Sequence, residues 1–145
     1  MKLKNATLII AALGIIDAIY LTIIKFTDNK ALCIEGLGDC WSVNNSRYSE
    51  WNGIPISIFG MIAYLSIILL ILLSKKSKLI AEYGSILVFG ITLTGFLFSI
   101  YLTYLQIAVI NAICPFCIIS ALTMTTVFIL SLVTLIKEHK EPHQV

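Results

Sequence analysis

The chain has 145 residues, of which 59% are hydrophobic and only 12% charged, with a formal net charge of +2 and a mean hydropathy of +0.96. A water-soluble domain this small has too little interior to hide so much apolar surface, so composition excludes a soluble globular protein and points to lipid. The small positive charge gives no basis for a nucleic-acid partner and is explained by loop lysines.

Four apolar stretches are each long enough to cross a hydrocarbon core of roughly 30 Å, which takes about 20 helical residues. The first covers residues 6–26. It follows Met1-Lys2-Leu3-Lys4 and could open a signal peptide, but its length and the lack of a small-x-small cleavage pattern favour a retained helix. Asp17, near its middle, would cost about 2.5–3.5 kcal/mol at the bilayer centre, so it is expected to face the bundle interior with a partner. The expected role is an interhelical hydrogen bond, with a proton relay as the alternative. An outer loop over 27–53 is the only sizeable polar segment, and Trp41, Tyr48 and Trp51 suit it to lying over the bundle's mouth at the water–lipid interface.

The second span covers 54–73 and the third about 79–110, whose first turn, with Glu82 and Tyr83, is expected in the interface. The fourth covers about 115–136. Nothing alternates with period two over ten-residue segments, which excludes a β-barrel. Lysines lie at the N-terminus (Lys2, Lys4), in the second connection (Lys75, Lys76, Lys78) and in the tail (Lys137, Lys140), while the first connection is acid-rich and the third uncharged. The positive-inside rule then places both termini in the cytosol and the first and third connections outside a cell membrane.

Gly14-Ile15-Ile16-Asp17-Ala18-Ile19-Tyr20-Leu21-Thr22 resembles Gly95-Phe96-Leu97-Phe98-Ser99-Ile100-Tyr101-Leu102-Thr103, and Cys33 and Cys114 each follow their glycine by nineteen residues. The segments opening at Pro55 and Pro115 echo one another more faintly. The expected fold is therefore an all-α membrane protein of one domain, two helix hairpins of the same orientation packed as a four-transmembrane-helix bundle. Gly14, Ala18, Gly95 and Ser99 recur at four-residue spacing, the small-residue pattern that lets helices approach in lipid. Tyr20 and Tyr101 lie about two turns inside the outer surface, able to bond a neighbouring helix or line a pocket.

Four cysteines fall in two pairs, Cys33 with Cys40 in the outer loop and Cys114 with Cys117 at the mouth of the fourth span. Proline at 115 favours a helix starting there, with Cys114 as its cap and Cys117 in its first turn. That spacing puts both sulfurs on one face within disulfide reach, and the helix N-terminus favours thiolate, the nucleophile of disulfide exchange. Structural disulfides and a four-cysteine zinc site are the competing readings; haem attachment fails because Ile118, not histidine, follows Cys117. Redox cycling explains both pairs, and no metal is expected. A non-catalytic four-helix assembly or partner-binding protein with structural disulfides is the alternative function.

Taken together, Cys33-x6-Cys40, Ser46, the Gly53-Ile54-Pro55-Ile56-Ser57 segment opening the second helix, Tyr101-Leu102 and the late CxxC across four spans resemble the vitamin K epoxide reductase family in its prokaryotic type. Its cysteine order differs from that of other four-helix quinone-linked disulfide oxidases, which carry CxxC in the first outer loop. The resemblance implies a thiol oxidoreductase that relays electrons from an extracytoplasmic thioredoxin-like protein to a membrane quinone such as menaquinone or ubiquinone, supporting disulfide formation. It implies that Cys33 and Cys40 are the shuttle pair and Cys114 and Cys117 the quinone-proximal pair, with Cys117 engaging the quinone. Ser46 matches the loop hydroxyl that helps the quinone site. Phe59, Leu102, Ala121 and Val43 match pocket positions, Ala121 standing where animal members carry tyrosine. No thioredoxin-like domain is fused here, so the expected redox partner is a separate protein.

Overall fold

The computed structural model describes residues 2–27, 36 and 38–140. Four long helices form the body: α1 (Lys2–Thr27), α3 (Ile56–Ser74), α4 (Lys78–Tyr104) and α5 (Pro115–Lys140); α4 continues as a π-helical segment over Leu105–Ile110. Between α1 and α3 lie a short helix α2 (Cys40–Asn44), a 3-10 turn (Arg47–Ser49) and two two-residue strands, β1 (Glu50–Trp51) and β2 (Ile54–Pro55). The four long helices, counting the π segment with α4, are each apolar and long enough to cross a membrane. A spanning segment must satisfy its backbone internally, which a helix does. The hydroxyls do likewise, Thr22 donating to the Ala18 carbonyl at 2.7 Å and Thr103 to Ser99 at 2.8 Å.

The bundle is a square ring in which α1 packs against α3 and α5, and α4 packs against the same two. Its buried core is narrow, centred on Ala11, Tyr64, Ile67, Val88, Met124 and Val127. Large side chains such as Ile9, Leu13, Leu65, Leu69 and Leu122 point outward. In water such a surface would aggregate; against lipid tails it costs nothing.

The internal repeat is visible in the packing. A Cβ on Gly14 would lie 2.5 Å from the Tyr64 ring, and one on Gly95 would lie 2.8 Å from the end of the Met124 side chain. Gly14 and Gly95 are the equivalent positions of the repeat, and Tyr64 and Met124 each lie nine residues after the aligned Pro55 and Pro115. Each hairpin thus seats a large side chain of its second helix in a glycine notch of its first. Tyr64 is a rigid ring, 1% exposed, so Gly14→Ala is expected to lower stability by about 1–3 kcal/mol. Thermal unfolding in detergent measures this, with Gly60→Ala, whose Cβ meets open space, as the near-neutral control.

Helix boundaries differ from the sequence reading in all four spans. The second helix starts at Ile56 because Ile54 and Pro55 pair with Trp51 and Glu50 across an Asn52-Gly53 turn. Both turn residues have positive φ, 55° and 82°, as a two-residue hairpin requires. The first and fourth helices run further than expected, to Lys2 and Lys140, where Glu138 bridges them by an ion pair to Lys4 at 2.8 Å and accepts a hydrogen bond from Ser85 of α4. The third helix ends in a π-helical segment with no counterpart in the sequence reading.

Candidate active site

The start of α5 is built around Cys114. Proline supplies the first helical residue, the Ile118 N–H donates to the Cys114 carbonyl at 3.1 Å, and the Cys117 N–H donates to the Cys114 sulfur at 3.3 Å. Cys114 is therefore the helix cap, with sulfur doing what a serine oxygen usually does. Its own N–H donates to the Gln106 side-chain oxygen at 3.1 Å. Gln106 also accepts the Ala112 N–H on its backbone carbonyl at 3.1 Å, and Asn111 adopts a left-handed φ of 52° to let the chain reverse. One residue thus holds the short α4–α5 connection from two atoms, and the widened π geometry turns its side chain inward, a use typical of such segments.

The loop before α2 docks onto this connection. The Asp39 N–H donates to the Ile113 carbonyl at 3.0 Å, and the Asp39 carboxylate caps α2 by accepting the Ser42 N–H at 3.0 Å. Gly38, with φ +127°, passes so close that a Cβ there would lie 2.4 Å from the Ile113 oxygen. Cys40 and Cys114 consequently share one buried apolar cluster with Leu21, Ile24 and Val43, and the two sulfurs are in hydrogen-bond contact. Lys25, at the end of α1, pins the loop's far side. Its ammonium donates to the Asn44 carbonyl and the Ser49 hydroxyl, each at 3.1 Å, and pairs with Glu50 at 3.6 Å.

Cys114 and Cys117 stand as thiols, the first buried and the second half-buried. The neighbouring Cys117 sulfur and burial together push the Cys114 thiol well above the ordinary thiol range. This corrects the sequence expectation for that residue. The helix-start N–H does favour its thiolate, but a second sulfur alongside and the dry surroundings outweigh it.

A cavity of about 460 Å³ opens between the helices beneath the loop. Of the three described cysteines only Cys117 lines it; Cys40 and Cys114 lie behind the wall. Val43, Ser46, Phe59, Leu102 and Ala121 all line it as well. The Ser46 hydroxyl donates to the Val43 carbonyl at 2.7 Å, fixing that edge of the loop. Cys33 lies outside the described residues. Tyr20 packs against Phe116 with ring centroids 4.8 Å apart and planes tilted by 48° beside the cysteine cluster, whereas Tyr101 faces outward and takes no part. Among the described residues no group of three or more Cys, His, Asp or Glu side chains converges as a metal site would require.

Sequence reasoning missed Gln106, Tyr64, Ser57 and Ser120 as lining residues. Gln106 carried a signal, as an amide in the otherwise apolar stretch Leu105–Ile110. Gln106→Leu would keep the volume but leave the buried Cys114 N–H unpaired, a loss of about 1–3 kcal/mol. Thermal unfolding in detergent should show that loss, and alkylation of Cys114 in the reduced protein should become faster as its cap loosens.

The cavity suits a flat apolar ring with polar edges: its volume falls in the usual ligand range of about 300–1,000 Å³, and its walls are mainly apolar with a few hydroxyls and amides. The thiol-disulfide oxidoreductase LTO1 of Arabidopsis thaliana is 31% identical over 121 residues, covering 80% of this chain and 32% of that protein. The chain thus spans about a third of the length of this relative. Residues 5–132, from the first helix through most of the fourth, match the family described as Vitamin K epoxide reductase family. That match covers the loop, the cysteine-capped helix and the cavity together, and the chain belongs to the vitamin K epoxide reductase family.

Proposed function

We propose that this protein is a multi-pass membrane thiol oxidoreductase that passes electrons from an extracytoplasmic dithiol protein through Cys33/Cys40 and Cys114/Cys117 to a quinone, so that disulfides form in the partner. The observation that carries this reading is the division of labour among the described sulfurs: Cys40 and Cys114 touch inside one buried cluster, and of the three only Cys117 faces the cavity. The lysine distribution supports cytosolic termini and cysteines on the outer side.

A quinone, when bound, supplies a two-electron, two-proton acceptor. The protein's own residues do the rest. A thiolate of a thioredoxin-like partner attacks a Cys33–Cys40 disulfide at Cys33, and closure of the partner's disulfide leaves the loop pair reduced. Cys40 then attacks Cys114 of an oxidised Cys114–Cys117 pair, releasing Cys117 on the cavity side; Cys33 resolves the mixed disulfide and Cys114 takes up a proton. When Cys114 and Cys117 close again, two electrons leave for the cavity. Val43, Phe59, Leu102 and Ala121 would hold the ring, and Ser46 would fix the loop edge over it. Burial of Cys40 and Cys114 shields the exchange from competing thiols.

The test is purified protein with a reduced thioredoxin-like dithiol and a soluble quinone. Thiol-dependent quinol formation is expected; its absence, with the bundle folded, contradicts the reading.

A further inference from the structure

Among the described residues Asp17 is the only acidic residue that is half-buried rather than exposed, and carboxyls within spanning helices are costly and mark functional sites. Its surroundings are specific. The carboxyl lies against the Ser120 side chain across the α1–α5 seam, and its Oδ2 oxygen is fully buried with no hydrogen-bond partner. The Tyr64 hydroxyl, from α3, donates to the Ser120 carbonyl at 3.3 Å. Three helices therefore meet at one polar node.

That node lies at the cavity and not apart from it. Ser120 and Tyr64 both line the cavity, as Cys117 does, while Asp17 sits behind Ser120. Ser120 follows Cys117 by three residues on α5, which places it on the same face about 4.5 Å further along the helix axis. This rise is close to the separation of the two oxygens of a 1,4-quinone. A ring lying along α5 from Cys117 would have its far edge at the level of Ser120.

We propose that Asp17 is a proton-holding positioning residue for the inner half of the cavity, acting through the Ser120 hydroxyl on the quinone oxygen remote from Cys117. This rests on the quinone reading above. As Cys114 and Cys117 close their S–S bond, two electrons pass to the quinone and the two thiol protons are released. The oxygen beside Cys117 takes one of them. The remote oxygen takes the Ser120 hydroxyl proton, Ser120 is reprotonated by Asp17, and the second thiol proton leaves to the aqueous side. Asp17 then regains a proton from water, so the sum is dithiol plus quinone giving disulfide plus quinol.

The test uses the full chain in detergent with a short-chain soluble ubiquinone, read by infrared difference spectroscopy and by single-turnover quinol formation from the reduced protein. The expected wild-type result is a carboxylic C=O band that shifts when quinone binds, is missing in Asp17→Asn and fails to shift in Ser120→Ala. Asp17→Asn should slow single-turnover quinol formation by at least about tenfold with little change in quinone Kd, and Asp17→Glu should restore part of the rate. An unchanged rate in Asp17→Asn, or a wild-type carboxyl band indifferent to bound quinone, overturns the proposal. The infrared readout on wild type decides the matter even where Asp17→Asn fails to fold. Failure of the wild type to bind quinone at all would overturn the underlying reading along with it.

Discussion

Cys117→Ala is expected to abolish dithiol-driven quinol formation, by at least about 1,000-fold, because it removes the sulfur that faces the cavity. The same variant should still accept electrons into the loop pair. With Cys117 gone, Cys114 has no partner in its own helix turn, and the Cys40 sulfur is already in contact with it. Mild oxidation should therefore trap a Cys40–Cys114 disulfide, visible by peptide mapping. Cys114→Ala should lose activity to a similar extent without trapping any such species, since the remaining Cys117 stands on the cavity side of the wall. Equal trapping in both variants would show that the sulfurs exchange freely and that no order is built into the site.

Gly38→Ala is the second large effect expected, and it acts without touching a sulfur. The residue's φ of +127° is unfavourable for alanine, and its Cβ would meet the Ile113 carbonyl oxygen at 2.4 Å and the Pro115 ring at 3.2 Å. Neither neighbour can give way, because one is backbone and the other opens α5. The backbone strain alone is about 1–3 kcal/mol, and undocking the loop would relieve it. The cost should appear as lost contact between Cys40 and Cys114, lowering dithiol-driven turnover about 5- to 150-fold. Oxidation of the reduced Cys114/Cys117 pair by added quinone should proceed nearly as in wild type, since Gly38 does not line the cavity. A variant that loses both rates together would mean that the loop shapes the cavity rather than bridging the two pairs.

Much of this architecture is legible in the chain. The four spans follow from uninterrupted apolar runs, and the cap role of Cys114 follows from Pro115, because proline's fixed φ and missing N–H suit only the first helical position. The repeat is visible in the sequence, and its equivalent glycines, Gly14 and Gly95, form the two notches. What stayed hidden depends on register between helices. Asp17 asks for a partner, but which residue of α5 meets it is set by packing, and nothing local marks Ser120. The π-helical turn at Leu105–Ile110 has no sequence signature among apolar residues; it becomes intelligible only once Gln106 is seen holding Cys114. The Asn52-Gly53 hairpin was readable, since that dipeptide is a strong two-residue turn signal. It was submerged by the apolar run that follows it. The upward push on the Cys114 thiol is not legible in the sequence because a helix terminus is local, whereas burial and the neighbouring sulfur are tertiary.

The lysine clamp has a similar origin. Lys25 looks like one more basic residue at a membrane boundary, yet its ammonium holds Asn44, Ser49 and Glu50 and so fixes the part of the loop that covers the cavity. Asn44 answers by donating to the Leu21 carbonyl at 3.1 Å. The loop is thus fastened at two points, by Asp39 to the α4–α5 connection and by Lys25 to α1, with Cys40 between them.

The direction of electron flow is tested most directly by disulfide mapping of the reduced wild-type protein after a brief reaction with substoichiometric quinone. A Cys114–Cys117 disulfide should appear first, followed by a Cys33–Cys40 disulfide as the pairs equilibrate. A Cys33–Cys40 disulfide forming ahead of Cys114–Cys117, or quinol formed with all four cysteines still reduced, would contradict it.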